Sequence, residues 1–248
     1  MDLRDRVVVV TGGAVHLGHA FSTHLAAEGA RVVVADVADT SMTVKHIREE
    51  GGEAHGVTVD LLDESSVTAL ARGAIETFGH VDAVVNNAGY FRAAFRGPVE
   101  DIPTEEWDRC FDVNVRGTWW VIRAFVDHFK ARRYGKVVNV SSATAYKGVG
   151  NMAHYVSAKA AVAGLTRALA VELGPHGICI NTLAPDAVLD PQMLDDRPEV
   201  LERVLGQRAI KRPMTPDDLV GTVAYLCGPG SDFVTGQTFH VNGGTFLS

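Results

Sequence analysis

The chain has 248 residues, of which 46% are hydrophobic and 21% are charged, and its formal net charge at pH 7 is −7 with histidine neutral. This composition predicts one globular domain, and the negative charge argues against a broad surface for nucleic acid. The first residues are charged and no run of 18 apolar residues occurs, so we expect neither a signal peptide nor a membrane-spanning helix, and we expect a cytoplasmic location.

Apolar runs alternate with helical patterns along the whole chain. The run from Val7 to Val10 is β-branched throughout, which is typical of a strand buried on both faces of a parallel sheet. A helix over 16–28 and a second apolar run ending at Asp36 complete a βαβ unit. Further helices are predicted over 41–50, 64–78, 105–133 with Thr104 as its N-cap, 153–173 and 216–226. Further strands are predicted over 54–59, 83–85, 136–140, 178–183 and 238–241.

This alternation predicts an α/β doubly wound Rossmann fold, with a seven-stranded, mostly parallel sheet and helices on both faces. No linker or repeat interrupts it, so residues 1–248 are expected to form a single dinucleotide-binding catalytic domain. Ligands of such sheets bind beyond the carboxyl ends of the strands. We therefore expect one crevice to be lined by the residues that end successive strands: Thr11, Asp36, Asp60, Asn86, Ser142 and Pro185.

The first two strand ends predict a nucleotide site. Gly12 and Gly18 bracket a turn that leads into a helix, whose N-terminal N–H groups and dipole suit a pyrophosphate. Asp36 stands 18 residues after Gly18, where a carboxylate would hold a ribose hydroxyl and repel a 2′-phosphate. A solvated strand-end carboxylate is the alternative interpretation of Asp36. Together the turn and the acid predict a dinucleotide site that favours NAD over NADP.

Two later strand ends extend this site. Asp60 and Leu61 could contact adenine, although Asp60 could equally be a helix N-cap. The run Asn86-Asn87-Ala88-Gly89 would present amides and small side chains to the middle of the cofactor, or would form an ordinary turn. The three cysteines are widely separated and neither C-x-x-C nor H-E-x-x-H occurs, so we predict neither a disulfide framework nor a metal site.

Tyr155 and Lys159 are four residues apart, so on a helix they share one face. An unperturbed tyrosine titrates near ~10, and lowering its pKa to about 7 requires roughly 4 kcal/mol. A cation at ~4 Å in an effective dielectric of ~20 supplies about that much. The pair could therefore form a proton donor that also acts as a base near neutral pH.

These residues together resemble the short-chain dehydrogenase/reductase family, in its branch of single-domain chains of about this length. Thr11-Gly12 through Gly18 is similar to the family's T-G-x-x-x-G-x-G, Asn86 to Gly89 matches N-N-A-G, and Tyr155 to Lys159 matches Y-x-x-x-K. Ser142 stands 13 residues before Tyr155, at the family's serine spacing, and Asn114 matches the family's helix asparagine. The resemblance implies hydride transfer between a nicotinamide cofactor and an alcohol or ketone.

The resemblance also implies a role for each member of a catalytic set. Tyr155 would exchange a proton with the substrate oxygen, and Ser142 would hydrogen-bond the same oxygen. Lys159 would lower the pKa of the tyrosine and hold the nicotinamide ribose, and Asn114 would hold a water that links Lys159 to solvent. The implied cofactor contacts are Gly12, His16, Leu17, Gly18, Asp36, Asp60, Leu61, Asn87, Ala88, Gly89, Tyr155, Lys159, Pro185 and Val188.

Three positions depart from the family pattern. His16 replaces its second glycine, so either His16 adopts a left-handed conformation or the helix starts there with ordinary angles. Asp186 follows Pro185 where glycine is usual, and Asp190 stands where a threonine commonly bonds the nicotinamide amide. These two acids could favour a positively charged ring, recognise a polar substrate, or point to solvent.

The resemblance implies a general class of substrate and an oligomeric state, without naming a particular substrate. Residues 187–214 resemble the family's substrate lid, with a possible apolar stripe of Met193, Leu194, Val200, Leu201, Val204 and Leu205. Further pocket candidates by position, which suggest a modest secondary alcohol or ketone, are Tyr90, Phe91, Phe95, Ala143, Thr144, Ala145, Val149, Met152 and His154. The resemblance implies a homotetramer assembled through the helices near 105–133 and 153–173, where Trp119 and Trp120 could lie.

Three functions are compatible with these features. The first is an NAD(H)-dependent alcohol dehydrogenase or ketone reductase. The second is an NADPH-dependent carbonyl reductase of the 3-oxoacyl type, acting on carrier-bound substrates, against which Asp36 argues. The third is a nucleotide-binding sensor without turnover, which the atypical His16, Asp186 and Asp190 motivate and the complete catalytic set opposes.

Overall fold

A parallel sheet runs through the part of the chain that the computed structural model describes, residues 2–188 and 198–247. Its strands are β1 (Val7–Thr11), β2 (Arg31–Asp36), β3 (Glu53–Thr58), β4 (Ala83–Asn86), β5 (Gly135–Val140), β6 (Ile178–Pro185) and β7 (Thr238–Val241). Every neighbouring pair is parallel, in the order β3-β2-β1-β4-β5-β6-β7. The predicted doubly wound α/β fold is confirmed, and its strand order reverses between β1 and β4.

Helices connect the strands and cover the sheet. They are α1 (His16–Ala27), α2 (Ser41–Glu49), α3 (Glu64–Phe78), α4 (Thr104–Phe111), α5 (Thr118–Arg132), α6 (Thr144–Lys147), α7 (Ala153–Leu173), α8 (Pro198–Gln207) and α9 (Asp217–Cys227). None of the helices within the described ranges is long and apolar enough to cross a membrane.

The unbroken valine run of β1 follows from burial on both faces. Val8 and Val10 belong to a core with α1 and α9 on one side of the sheet. Val7 and Val9 belong to a second core, with α3 and α5, on the other side. Each fully buried valine contributes about 1.5–3 kcal/mol relative to an exposed one, so alternation with polar residues would be costly on either face.

The long helix predicted over 105–133 is interrupted. Its first part is α4, and a π-helical turn over Asp112–Gly117 separates it from α5. The prediction of one continuous helix is therefore wrong at the turn that contains Asn114. Thr104 is also not the N-cap: it is the first helical residue, and Pro103 stands before it without a capping side chain.

Candidate active site

The glycine turn after β1 is packed too tightly for larger residues. Gly12 has a φ of +61°, and a Cβ added to Gly18 would lie 1.7 Å from the carbonyl oxygen of Gly12. The Asn87 amide at the end of β4 donates to the carbonyls of Thr11 (3.1 Å) and Gly12 (2.9 Å). The Ala88 N–H donates to the Thr11 hydroxyl (3.2 Å). The turn after β1 and the N-N-A-G segment are thus joined into one surface.

Asp36 fixes this turn from the second strand. Its side chain is 8% exposed, and its carboxylate accepts the N–H groups of Ala14 and Ala38, both at 3.0 Å. The alternative of a solvated strand-end carboxylate is therefore wrong. The next residue is Val37, which is 71% exposed, and its side chain offers no positive charge beside the acid.

The sequence left two backbone conformations open for His16. The residue adopts the left-handed one, with a φ of +50°. A non-glycine residue in this region costs roughly 1–3 kcal/mol, which the surrounding structure must offset. The exposed ring lies beside the loop after β4, where Arg92 Nη2 is 3.3 Å from His16 Nδ1. Leu17 is partly buried and packs against the core below α1.

The third strand end is organised by two acids with different roles. Asp60 is exposed and accepts the N–H of Leu62 at 2.9 Å. Asp63 is the N-cap of α3 and accepts the N–H of Ser65 at 2.8 Å. The interpretation of Asp60 as a helix N-cap is therefore wrong. Leu61 is buried in the core, and its side chain packs closely against Gly117.

Tyr155 and Lys159 lie on the buried face of α7, next to the end of β5. They are 6% and 4% exposed, and Lys159 Nζ donates to the carbonyl of Val140 at 2.8 Å. The Ser142 hydroxyl, just past β5, accepts the N–H of Thr144 at 3.2 Å and the hydroxyl of Thr144 at 3.0 Å, and it lies close enough to the phenol of Tyr155 to lower its pKa. Residues separated by 13 positions in the chain thus lie together beside a buried ammonium.

The pKa values of Tyr155 and Lys159 differ from those expected from the spacing of the two residues. Burial raises the pKa of Tyr155 to about 12, and the neighbouring Ser142 hydroxyl offsets only part of this shift. Burial also lowers the pKa of Lys159 to about 8. The ammonium nitrogen is 5.9 Å from the centre of the tyrosine ring. The expectation that the pKa of the tyrosine falls toward 7 is therefore wrong for the protein's own groups, because desolvation by burial dominates the shift.

Asn114 lies in the π-helical turn and is 1% exposed. Its Oδ1 accepts the N–H of Tyr90 (3.1 Å), and its Nδ2 donates to the carbonyl of Tyr90 (3.2 Å) and to Cys110 Sγ (3.3 Å). A Cβ added to Gly89 would lie 2.9 Å from Asn114 Oδ1 and 3.3 Å from Lys159 Nζ. The structure therefore brings Asn114, Gly89 and Lys159 together, while the water relay remains a prediction.

Asp186 forms a buried ion cluster that the sequence did not reveal. It is 7% exposed and interacts with Lys147 Nζ (2.6 Å) and Arg208 Nε (3.2 Å), and it accepts the Thr245 hydroxyl (2.7 Å). Burial alone would raise the pKa of Asp186, but the hydrogen bonds from Lys147 and Thr245 bring it below its ordinary value. Asp186 therefore does not point to solvent.

The remaining predicted residues lie at the end of β6 and beyond it. Pro185 is the last residue of β6, and its carbonyl accepts the N–H of Ala143 at 2.8 Å. Val188 pairs with Met214 in an isolated parallel bridge. Asp190, Met193 and Leu194 lie outside the described residues.

Glu106 is a further site-forming residue that the sequence did not identify. Its carboxylate accepts the hydroxyl of Tyr90 at 2.9 Å and the N–H of Phe95 at 3.1 Å. It therefore fixes the loop after β4, in which the Phe91 ring lies 4.9 Å from the Tyr155 ring. No local signal marks this role, because the loop and α4 meet only in the fold.

The site fits a nicotinamide dinucleotide by its own chemistry. The glycine turn is packed too closely for any Cβ, and it precedes a helix N-terminus, which suits a pyrophosphate. A buried carboxylate ends β2 and a buried ammonium lies beside the β5 end, on the edge of the sheet where doubly wound folds bind nucleotides.

Comparisons with known proteins agree with this architecture. A family model described as Enoyl-(Acyl carrier protein) reductase matches residues 13–245. The short-chain reductase protein NovJ of Streptomyces niveus is 38% identical, with 97% of this chain and 94% of that protein covered. Cyclopentanol dehydrogenase of Comamonas sp. is 35% identical, with 98% and 97% covered. The crystal structure of levodione reductase superposes with a TM-score of 0.89 at 30% identity, with 97% of each chain covered.

The chain therefore belongs to the short-chain dehydrogenase/reductase family of oxidoreductases. Members of this family use NAD(P) nucleotides, and the relatives include alcohol dehydrogenases and carbonyl reductases.

Proposed function

We propose that the protein is an NAD(H)-dependent dehydrogenase/reductase that interconverts a secondary alcohol and a ketone. The observation that carries this proposal is the grouping of the buried Tyr155 phenol, the Ser142 hydroxyl and the buried ammonium of Lys159 beside the end of β5. This group lies at the same sheet edge as the glycine turn and Asp36. The names of cyclopentanol dehydrogenase and levodione reductase support a ketone or secondary alcohol as substrate.

The geometry supports a separate role for each of these residues. The glycine turn and Asp36 would hold the adenosine half of the nucleotide and Lys159 its nicotinamide ribose, and the nucleotide, when bound, would supply or accept hydride. In reduction, Tyr155 donates its proton to the carbonyl oxygen, and a pKa of about 12 keeps that proton in place at neutral pH. The Ser142 hydroxyl donates to the same oxygen and stabilises the charge that develops there. The protein's own groups thus favour the role of proton donor.

Replacing Tyr155 with phenylalanine tests the proton transfer. Removal of a general acid costs roughly 10²–10⁴-fold in rate, so Tyr155→Phe should lose at least about 100-fold in kcat when alcohols and ketones are screened by absorbance at 340 nm. Tyr134→Phe is the matched control. Burial also raises the pKa of Tyr134 to about 12, but this residue lies just before β5, at the opposite end of the sheet from Ser142. Turnover that survives in Tyr155→Phe would contradict the proposed role.

The preference for NAD is proposed from Asp36. Its carboxylate is held in place by two backbone N–H groups, where it would accept ribose hydroxyls and repel a 2′-phosphate. Fluorescence titration should therefore give a lower Kd for NADH than for NADPH, and Asp36→Ala should reduce the difference. Tighter binding of NADPH by the unmodified protein would refute the argument from Asp36.

An NADPH-dependent reductase of carrier-bound substrates is the second candidate. The description of the matching family model, which names an acyl carrier protein, favours it. The same titration separates the two candidates. A sensor without turnover is the third, and loss of all activity screened at 340 nm, with NADH binding retained, would favour it.

Assembly into a homotetramer through α5 and α7 remains a prediction. Trp119 on α5 is 39% exposed and lies under the guanidinium of Arg123, so this face carries an aromatic side chain that a second copy could cover. We also propose that 187–214 forms the substrate lid, of which residues 187–188 and 198–214 are described.

A further inference from the structure

The loop that follows β4 is held rigidly against the catalytic tyrosine. The Tyr90 hydroxyl and the Phe95 N–H both bind the carboxylate of Glu106 on α4. The N–H of Gly97 donates to the carbonyl of Asn151, just before α7, at 3.1 Å. Because one part of the loop is bonded to α4 and the other to the residue pair that precedes α7, its side chains are held next to Tyr155.

Two side chains of this loop pack in sequence on the catalytic phenol, with the rings of Phe91 and Tyr155 tilted by 45°. The Phe91 ring lies 4.9 Å from the Tyr155 ring, and the Arg96 guanidinium lies over Phe91 at 5.0 Å from the ring centre. Burial raises the pKa of Tyr155, but the charge of Arg96 acts in the opposite direction. A permanent positive charge is therefore within electrostatic reach of the atom that exchanges a proton with the substrate.

The guanidinium of Arg96 has no carboxylate partner within residues 2–188 and 198–247. Arg96 is exposed and forms no ion pair with any side chain in the described ranges, whereas Arg208, Arg212 and Arg123 each contact a carboxylate. A stacked guanidinium has fewer conformations to lose, and its planar fork matches a carboxylate with two parallel hydrogen bonds. Its local charge also counters the formal net charge of −7, which would repel an anionic substrate.

We propose that Arg96 is a specificity-determining residue that binds a carboxylate of the substrate. The substrate class is then an oxo acid and its hydroxy acid, with the reacting oxygen at Tyr155 and the carboxylate at the loop after β4. This inference rests on the proposed dehydrogenase function and narrows its substrate from ketones in general to ketones with a carboxylate.

Matched pairs of substrates test this inference. The oxo acids are 3-oxopentanoate, 4-oxopentanoate, 3-oxohexanoate, 4-oxohexanoate and 5-oxohexanoate. Each would be compared with its neutral methyl ester, first with NADH and then with NADPH as the cofactor. Two charge-assisted hydrogen bonds support about 10- to 100-fold in kcat/KM for the acid over its ester. Arg96→Gln should abolish that preference while leaving kcat/KM for the ester within about threefold. The oxo acid, and not the ester, should also raise the Tm of the unmodified protein by binding.

Arg109→Gln is the matched control, because Arg109 is also an exposed guanidinium stacked on a ring of this loop, 5.3 Å from the centre of Tyr90. The Arg109→Gln variant should prefer the acid over its ester by the same factor in kcat/KM as the unmodified protein. Equal turnover of acid and ester, or a loss in Arg96→Gln that affects both alike, overturns the inference and leaves the proposed function in place. Absence of turnover for every pair overturns the inference, and the proposed function falls as well only if the screen of alcohols and ketones at 340 nm also shows no turnover.

Discussion

Neutralising Asp186 should destabilise the protein more than the removal of any surface charge. The change Asp186→Asn keeps the shape of the side chain but leaves Arg208, which is 2% exposed, without its counter-ion. Breaking a buried ion pair from one side costs about 3–5 kcal/mol. Arg208 still donates to the carbonyl of Ala187, and Lys147 is 21% exposed, so we expect the lower end of that range, about 3 kcal/mol.

Urea unfolding followed by tryptophan fluorescence measures this loss at a fixed protein concentration. With a slope of about 3 kcal/mol per M, the midpoint should fall by about 1 M. Glu49→Gln is the control, because Glu49 pairs with Lys45 at the surface and both side chains are at least 65% exposed. Such a pair contributes less than about 1 kcal/mol. If Asp186→Asn shifted the midpoint as little as Glu49→Gln, the cluster would contribute no stability.

The pH dependence gives a second check on the same cluster. The pKa of the Asp186 carboxyl is held below its ordinary value of about 3.9, so its stabilising effect is complete above that value. It is lost as the pH falls below 3.9 through the pKa of the folded state. The difference in unfolding free energy between the unmodified protein and Asp186→Asn should therefore shrink in acid, and a constant difference would contradict this account.

Two further predictions concern the nucleotide turn and the buried ammonium. Gly18→Ala forces a Cβ against the Gly12 carbonyl and should abolish NADH binding in a fluorescence titration. The control Gly73→Ala, in an open helical position, should bind NADH normally and gain about 1 kcal/mol of stability. Normal NADH binding by Gly18→Ala would contradict the packing argument. Burial lowers the pKa of Lys159 from 10.5 to about 8, so the unmodified protein should gain stability relative to Lys159→Met, by up to about 3 kcal/mol, as the pH rises through that interval. Urea unfolding at pH 7.5 and pH 10.5 measures this gain, and a pH-independent difference would contradict it.

The sequence predicted the features of the fold that depend on local pattern. The valine run of β1 indicated a strand buried on both faces, and the parallel arrangement followed from the alternation of strands and helices. Because parallel strands end at a common edge, Asn87 at the end of β4 could be expected near Gly12, and the two are hydrogen-bonded.

The features that the sequence did not predict depend on contacts between distant segments. The partners of Asp186 are 39, 22 and 59 positions away, so no spacing marks them. The sign of the shift in the pKa of Tyr155 was also wrong, because helical spacing gives the direction of a neighbouring charge but not the depth of burial. Desolvation is a property of the assembled fold, and here it is the dominant effect.

The π-helical turn over Asp112–Gly117 also determines how α4 and α5 are phased. A π turn is equivalent to one extra residue in an α-helix, and each residue rotates the following side chains by about 100°. Deletion of a single residue between 112 and 117 would leave a regular helix of nearly the same length. It would turn Phe125 and Phe129, now fully buried, away from the sheet, or would displace Asn114 from Tyr90. Insertions and deletions in this segment are therefore far less tolerable than substitutions.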